Sequence, residues 1–212
     1  MSDEQLWHRL DRVRREHGLL TPGELMVLAD HGVAVLDPFS ALVSRRVTLR
    51  AGTVLYPGAV VECDEWSSIT FGPDIVLYGG AHVTAADGAR IVIGRGCLLG
   101  EGGTRIKAAT DDLVEIGSEV RITNGAELTG SCHLGDGAQI LGPISARAVD
   151  LAAGRPFSHP DPDGRGGVLK GYGRAHGVRV GTGEVLNGNG DFESARVERQ
   201  RTYHPEAPRL TQ

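Results

Sequence analysis

Aromatic side chains are scarce in this sequence, at 5% of its residues, and positive charge is not in excess: 22 Lys and Arg face 27 Asp and Glu. A sandwich or a doubly wound domain would fill its core with more large apolar rings. A broad nucleic-acid surface shows a basic balance, so the net charge of −5 argues against that partner. Cysteine is sparse as well. Cys63, Cys97 and Cys132 have no CxxC spacing and no paired histidine nearby, which disfavours a disulfide framework and a zinc knot. Free buried thiols in a reducing cytoplasm are the expectation, with no metal. No apolar run approaches the ~20 residues of a membrane span. The opening stretch, "MSDEQLWHRLDRVRREHG", is charged where a signal peptide would be apolar. The expectation is a cytoplasmic protein without a membrane partner.

What the chain has in abundance is glycine, 31 of 212 residues, set among regularly spaced aliphatics. In "VEIGSEVRITNGAELTGSCHLGDGAQILGP" (114–143), Ile116, Ile122, Leu128, Leu134 and Ile140 fall at every sixth place. The same beat runs through Val43, Leu49, Leu55 and Val61, through Phe71, Leu77 and Val83, and through Ile93 and Leu99. Val180, Leu186 and Phe192 resume it near the end. Breaks occur at "DEWSS", "AADG" and "KAATDDL". Neither the helical period of 3.6 nor the strand period of two gives six. A unit of one short strand and one tight corner does, and three units make a triangular coil whose aliphatic residues stack inward. Gly-containing corners such as "YPG", "GDG" and "GTG" suit the turns. The period therefore predicts an all-β solenoid, a parallel β-helix with three flat faces.

Before the beat, residues 3–17 read as an amphipathic helix with Leu6, Leu10 and Val13 on one face. A second helix starts at Thr21 as N-cap, with Pro22 in the first turn, Glu24 completing a capping box, and Leu20 and Leu25 as a staple. Gly32 stops it. The organisation expected is a short N-terminal α-helical cap over 1–34, a β-helix over 35–192 and a C-terminal tail over 193–212. The longest interruption, "RAVDLAAGRPFSHPDPDGRGGVLKGYGRAHG" (147–177), reads as a long inserted loop rich in Gly and Pro. The tail reads as a frayed, charged terminus.

The hexads resemble the left-handed β-helix of hexapeptide-repeat acyltransferases. The nearest likeness is to the acetyltransferase half of the bifunctional N-acetylglucosamine-1-phosphate uridylyltransferase. "VLDPFSALVSRRVTLRAGTVLYPGAVVE" (35–62) is similar to the start of that half, and "RITNGAELTGSCHLG" (121–135) to its Arg-x-Arg-Pro-Gly-Ala-Glu-Leu run. In "AHGVRVGTGEVLNGNG" (175–190), His176 stands five residues before Gly181, as a catalytic His does in the family, and Asn187 and Asn189 fall near its Asn-containing loop. The likeness spans about residues 35–192. It departs where Thr123 and Asn124 replace the second Arg and the Pro. No Gly-rich nucleotidyltransferase signature precedes it, so uridylyl transfer is not expected.

The resemblance implies a homotrimer with sites between subunits, moving an acyl group, most simply acetyl, from coenzyme A to a hydroxyl or amine of a small molecule. A sugar or sugar phosphate is one such acceptor. Such transfer needs a base and an oxyanion donor. His176 is the first candidate for the base and His159 the second, with His133 and His82 behind them. Arg121, Lys170, Arg174 and Asn187 are candidates to bind the acceptor. Arg196 and Arg199 are candidates, with Arg201 beside them, for the coenzyme phosphates. His159, Asp161 and Asp163 form a weak metal pattern. A γ-class carbonic anhydrase would need two close histidines at a corner, and no pair stands within five residues in the hexad region. A noncatalytic solenoid binding a sugar nucleotide or a partner enzyme, or different chemistry in the same cleft, are the other readings.

Overall fold

A computed structural model describes residues 3–210 of the chain. Its body is a left-handed parallel β-helix of three faces. The first face stacks Ala34–Val35, Val54–Leu55, Val76–Leu77, Leu98–Leu99, Arg121–Thr123, Gln139–Leu141, the start of Val168–His176, and Glu184–Asp191. The second stacks Leu42–Val43, Val60–Cys63, His82–Ala85, Arg105–Ala108, Glu127–Thr129, Ile144–Arg147 and the end of Val168–His176. The third runs from Ser68–Phe71 to Arg179–Val180.

The register follows the beat. Ile122 pairs with Ile140 and Ile116 with Leu134, each eighteen positions on. Every residue of the six-residue beat, from Val43 to Phe192, is buried. The earlier coils are longer, as in the pairing of Val61 with Val83. The three breaks in the beat supply most of these extra residues, and each break falls at the corner between the second and third faces. There they stack and bond: Asp87 N donates to Asp64 Oδ2 at 2.7 Å and Gly88 N to Ser67 Oγ at 3.1 Å.

The segment expected to be a loop over 147–177 is only partly one. Asp150–Leu151 and Val168–His176 are coil strands, and the true excursion is 152–167, with a 3-10 turn at Pro162–Gly164. The reason is the use made of glycine. Val168–His176 runs unbroken from the first face round onto the second, with Gly171 at φ 115° and Gly173 at φ 119°. A Cβ on Gly171 would collide with Gly188 O, and one on Gly173 with Gly190 O. "KGYG" is glycine-rich because successive coils touch there, not because the chain is loose.

The helical cap comprises Asp3–Glu16 and Pro22–Val27. Thr21 Oγ1 accepts from Glu24 N at 3.2 Å, Glu24 Oε2 accepts from Thr21 N at 2.8 Å, and Gly32 closes the following 3-10 turn at φ 75°. The face of the first helix is a correction. Leu6 and Val13 are exposed, and the side chain that inserts is Arg14, 5% exposed. In this solenoid backbone N–H and C=O groups pair between successive coils in both directions, as Leu42 N does with Ala59 O and Asp74 N with Ala51 O. No coil precedes the first to donate to its carbonyls. Arg14 takes that place, donating to Phe39 O at 2.7 Å and Ala41 O at 3.1 Å, and it also holds Leu20 O at 3.2 Å. Leu20 N donates to Val43 O at 2.8 Å. The cap satisfies an open edge first and buries apolar surface second.

The tail corrects the expectation of a frayed end. Val197–Arg199 pairs antiparallel with Glu184–Leu186, and Gln200–Tyr203 turns back over the first face. No helix among the described residues is long and apolar enough to cross a membrane.

Candidate functional site

The last coils of the first face carry a cleft of about 280 Å³. Two outward columns make its floor: Arg121, Gln139, Val168 and Val185 in one, Leu141 and Lys170 in the next. These positions point outward because each flanks a beat residue in a period-two strand. Phe157 comes from the excursion, and Tyr203 and His204 from the docked tail.

Three cations line this cleft, and no carboxylate among the described residues does. Arg121 has its Cζ 5.3 Å from the centre of the Phe157 ring and an exposed pairing with Glu101 at 3.7 Å. Lys170 Nζ lies 4.7 Å from the centre of the Tyr203 ring. Arg165 donates from Nε to His159 O at 2.7 Å, and burial pulls its pKa down. Tyr203 is fixed from behind: its hydroxyl donates to Glu198 Oε2 at 2.7 Å and accepts from Asn187 Nδ2 at 3.0 Å. The bond to Glu198 raises the phenol's pKa. Gln200 Nε2 donates to Gly166 O at 2.7 Å. Gln139, 6% exposed, has no hydrogen-bond partner for its amide among the described residues.

A second, larger cavity of about 770 Å³ lies between the excursion and the end of the tail, lined by Arg155, His159, Thr182 and Arg209 beside Asp161 and Asp163. Both carboxylates are engaged. Arg201 donates to Asp163 Oδ2 at 2.6 Å and to Asp161, and Leu210 N donates to Asp161 Oδ2 at 2.9 Å. The Leu210 bond is the largest influence holding Asp161 below the usual carboxylate range. Among the described residues no group of three or more His, Cys, Asp and Glu has a metal-holding arrangement.

The candidates read from the sequence are thus distributed over several places. Arg121 and Lys170 meet in the first-face cleft, with Asn187 behind Tyr203. His159 lines the second cavity, its Nδ1 3.0 Å from Asp161 O. His176 is exposed on the second face, beside Arg147 in register, and lines neither cavity. Arg174 pairs with Asp191 at 3.7 Å on the outer side of the strand that carries His176. Arg199 is paired with Asp163 at 3.6 Å and Glu184 at 3.8 Å, and Arg196 is exposed. His133 bonds Asp150 at 3.0 Å through Nδ1, and His82 lies on the second face and lines neither cavity. Cys97 and Cys132 are buried and Cys63 half-buried, all free; burial pushes the Cys97 thiol up to about 11.

Gln139, Phe157, Tyr203 and His204 are cleft residues that sequence reasoning does not single out. Gln139 precedes the beat residue Ile140, so its outward direction is legible. The other three reach the cleft through tertiary docking, which no local pattern announces.

No protein-family model matches the chain, and no curated protein does. Among solved structures, the UDP-N-acetylglucosamine acyltransferase of Francisella novicida is similar, at 16% identity and a TM-score of 0.23. The match covers 73% of this chain, which spans 62% of the length of that structure.

Proposed function

We propose that the chain is an acyltransferase, moving an acyl group, most simply acetyl, from coenzyme A to the hydroxyl or amine of a small molecule. The hexad resemblance motivates this reading. The observation that carries it is the meeting of Arg121 and Lys170 in one apolar-floored cleft, with Asn187 anchoring the tyrosine above. These groups would orient the acceptor. Backbone N–H groups of the coils would stabilise the oxyanion, and Arg196 is an exposed tail cation that would meet the coenzyme phosphates.

The base is assigned to His176 on its spacing, acting at a groove between copies of the chain in a homotrimer. An apolar outer column supports assembly through the first face: Val54, Val76 and Leu98, with Tyr56 stacked on Tyr78 at 5.1 Å. At the matching places the second face carries Val60, His82 and Arg105. A noncatalytic binding solenoid is the second reading, favoured by the absence of His176 from the two cavities described above.

Light scattering and an acyl-coenzyme A turnover assay with His176→Ala and His204→Ala test both readings. A trimer that loses turnover with His176→Ala supports the proposal. A monomer, or turnover that only His204→Ala removes, places the base elsewhere. No thiol release with any amine or hydroxyl acceptor leaves the binding module.

A further inference from the structure

We infer that the first-face cleft binds a small carboxylate with an apolar body, an aliphatic or aryl acid. Three features of the cleft converge on this class. First, Arg121, Arg165 and Lys170 share a partly closed space without one carboxylate in its described lining. Like charges in a low-dielectric recess repel, and a bound anion relieves them. The η nitrogens of Arg165 meet no acceptor among the described residues, which leaves the fork free for a planar, bidentate partner. Second, the surface between the cations is hydrocarbon: Leu141, Val168, Val185 and the Phe157 ring. A sugar would leave its hydroxyls unpaired against such a floor, whereas an alkyl or aryl body buries there. Third, Gln139 is more than nine-tenths buried and its amide has no partner among the described residues. The amide is open to the cleft rather than sealed off, so its N–H is free to meet a group that enters there. A carboxylate supplies acceptors for both the guanidinium fork and the Gln139 N–H.

Resting on the reaction proposed above, this cleft holds the acceptor, and the acceptor is then an amino or hydroxy acid with an apolar side chain. The binding inference itself does not require that reaction.

Calorimetry on the full chain, without coenzyme, separates the two. Hexanoate and phenyllactate are titrated beside hexanamide, hexylamine and glucosamine phosphate. The acids bind, and the neutral amide and the amine bind at least about tenfold more weakly. Arg121→Gln and Gln139→Leu each weaken hexanoate about tenfold while the thermal transition stays in place. Equal affinity for acid and amide, a preference for the sugar phosphate, or no binding at millimolar acid overturns the inference. Loss of the thermal transition in one variant shifts the decision to the ligand series, which uses the natural chain. If the acids bind but no amino or hydroxy acid accepts an acyl group, the binding site stands and its role as the acceptor site falls.

Discussion

The guanidinium of Arg201 donates from Nε to the Asp163 carboxylate at 2.6 Å and so ties the tail to the excursion. The same side chain holds Asp161, and it donates to Ala207 O at 2.8 Å. One residue therefore joins two segments that have no regular ladder between them, and both contribute to the roof of the first-face cleft. Arg201→Ala removes that tie. Hydrogen exchange over 152–167 and 197–208 is expected to quicken while Leu128 and Ile140 keep their protection, because the coils beneath share none of these bonds. Uniform acceleration through all coils would show that the tail supports the solenoid as a whole.

Gly171 tests the stacking of coils. Its φ of 115° is a region that L side chains rarely adopt, and an added Cβ would collide with Gly188 O. Gly142 stands the same way on Gly171 O. Strain at such a position is on the order of 1–3 kcal/mol before the collision is added. Gly171→Ala is expected to lower unfolding stability by at least about 2 kcal/mol in urea titration. Gly177→Ala, at φ 65° with nothing within 4 Å of the added methyl, is expected to cost less.

These glycines mark what the residue pattern reveals and what it hides. The beat identifies the interior, since an aliphatic plug at each sixth place has only one geometry that buries all of them. The capping box at Thr21 and Glu24 is equally legible, being a local exchange of two hydrogen bonds. "VLKGYGRAHG" misleads because glycine denotes both a turn and a close approach, and only the neighbouring coil distinguishes them. At the site, Arg121 and Lys170 are legible as outward charges beside beat residues. Phe157, Tyr203 and His204 are not. Phe157 reaches the cleft from the excursion and the other two from the docked tail, and neither placement leaves a local signal in the chain.

Arg14 carries the attachment of the cap. It is 5% exposed and donates to three carbonyls, two of them in the first coil. Arg14→Met keeps much of the apolar stem and leaves those carbonyls without donors. An unsatisfied buried polar group costs about 1–3 kcal/mol, so destabilisation of about 2 kcal/mol or more is expected at the cap. Trp7, packed on Phe39 at 5.4 Å between ring centres, reports it. In a Trp66→Phe background its fluorescence should change at a lower urea concentration than the circular dichroism of the coils. Coincident, unshifted transitions would mean that Arg14 adds nothing to the attachment.

Acid should loosen the same cap through Glu24. Its pKa falls from the ordinary 4.5 to about 2, chiefly because Arg45 donates to it at 2.6 and 2.7 Å, with Thr21 N adding a further bond. A carboxylate whose pKa is depressed on folding contributes stability above its unfolded value and loses it as pH falls through its folded value. The window here is therefore pH 4.5 down to about 2. The side chain is about a third exposed, so solvent screening reduces the contribution to about 1 kcal/mol. The Trp7 urea midpoint should decline across that window in the natural chain. Glu24→Gln should start lower at neutral pH and lose the part of the decline that Glu24 causes. Added salt should narrow the gap between the two at neutral pH, since the Arg45 pair is partly open to solvent. Parallel acid profiles for the two proteins would place the titrating group outside the capping box.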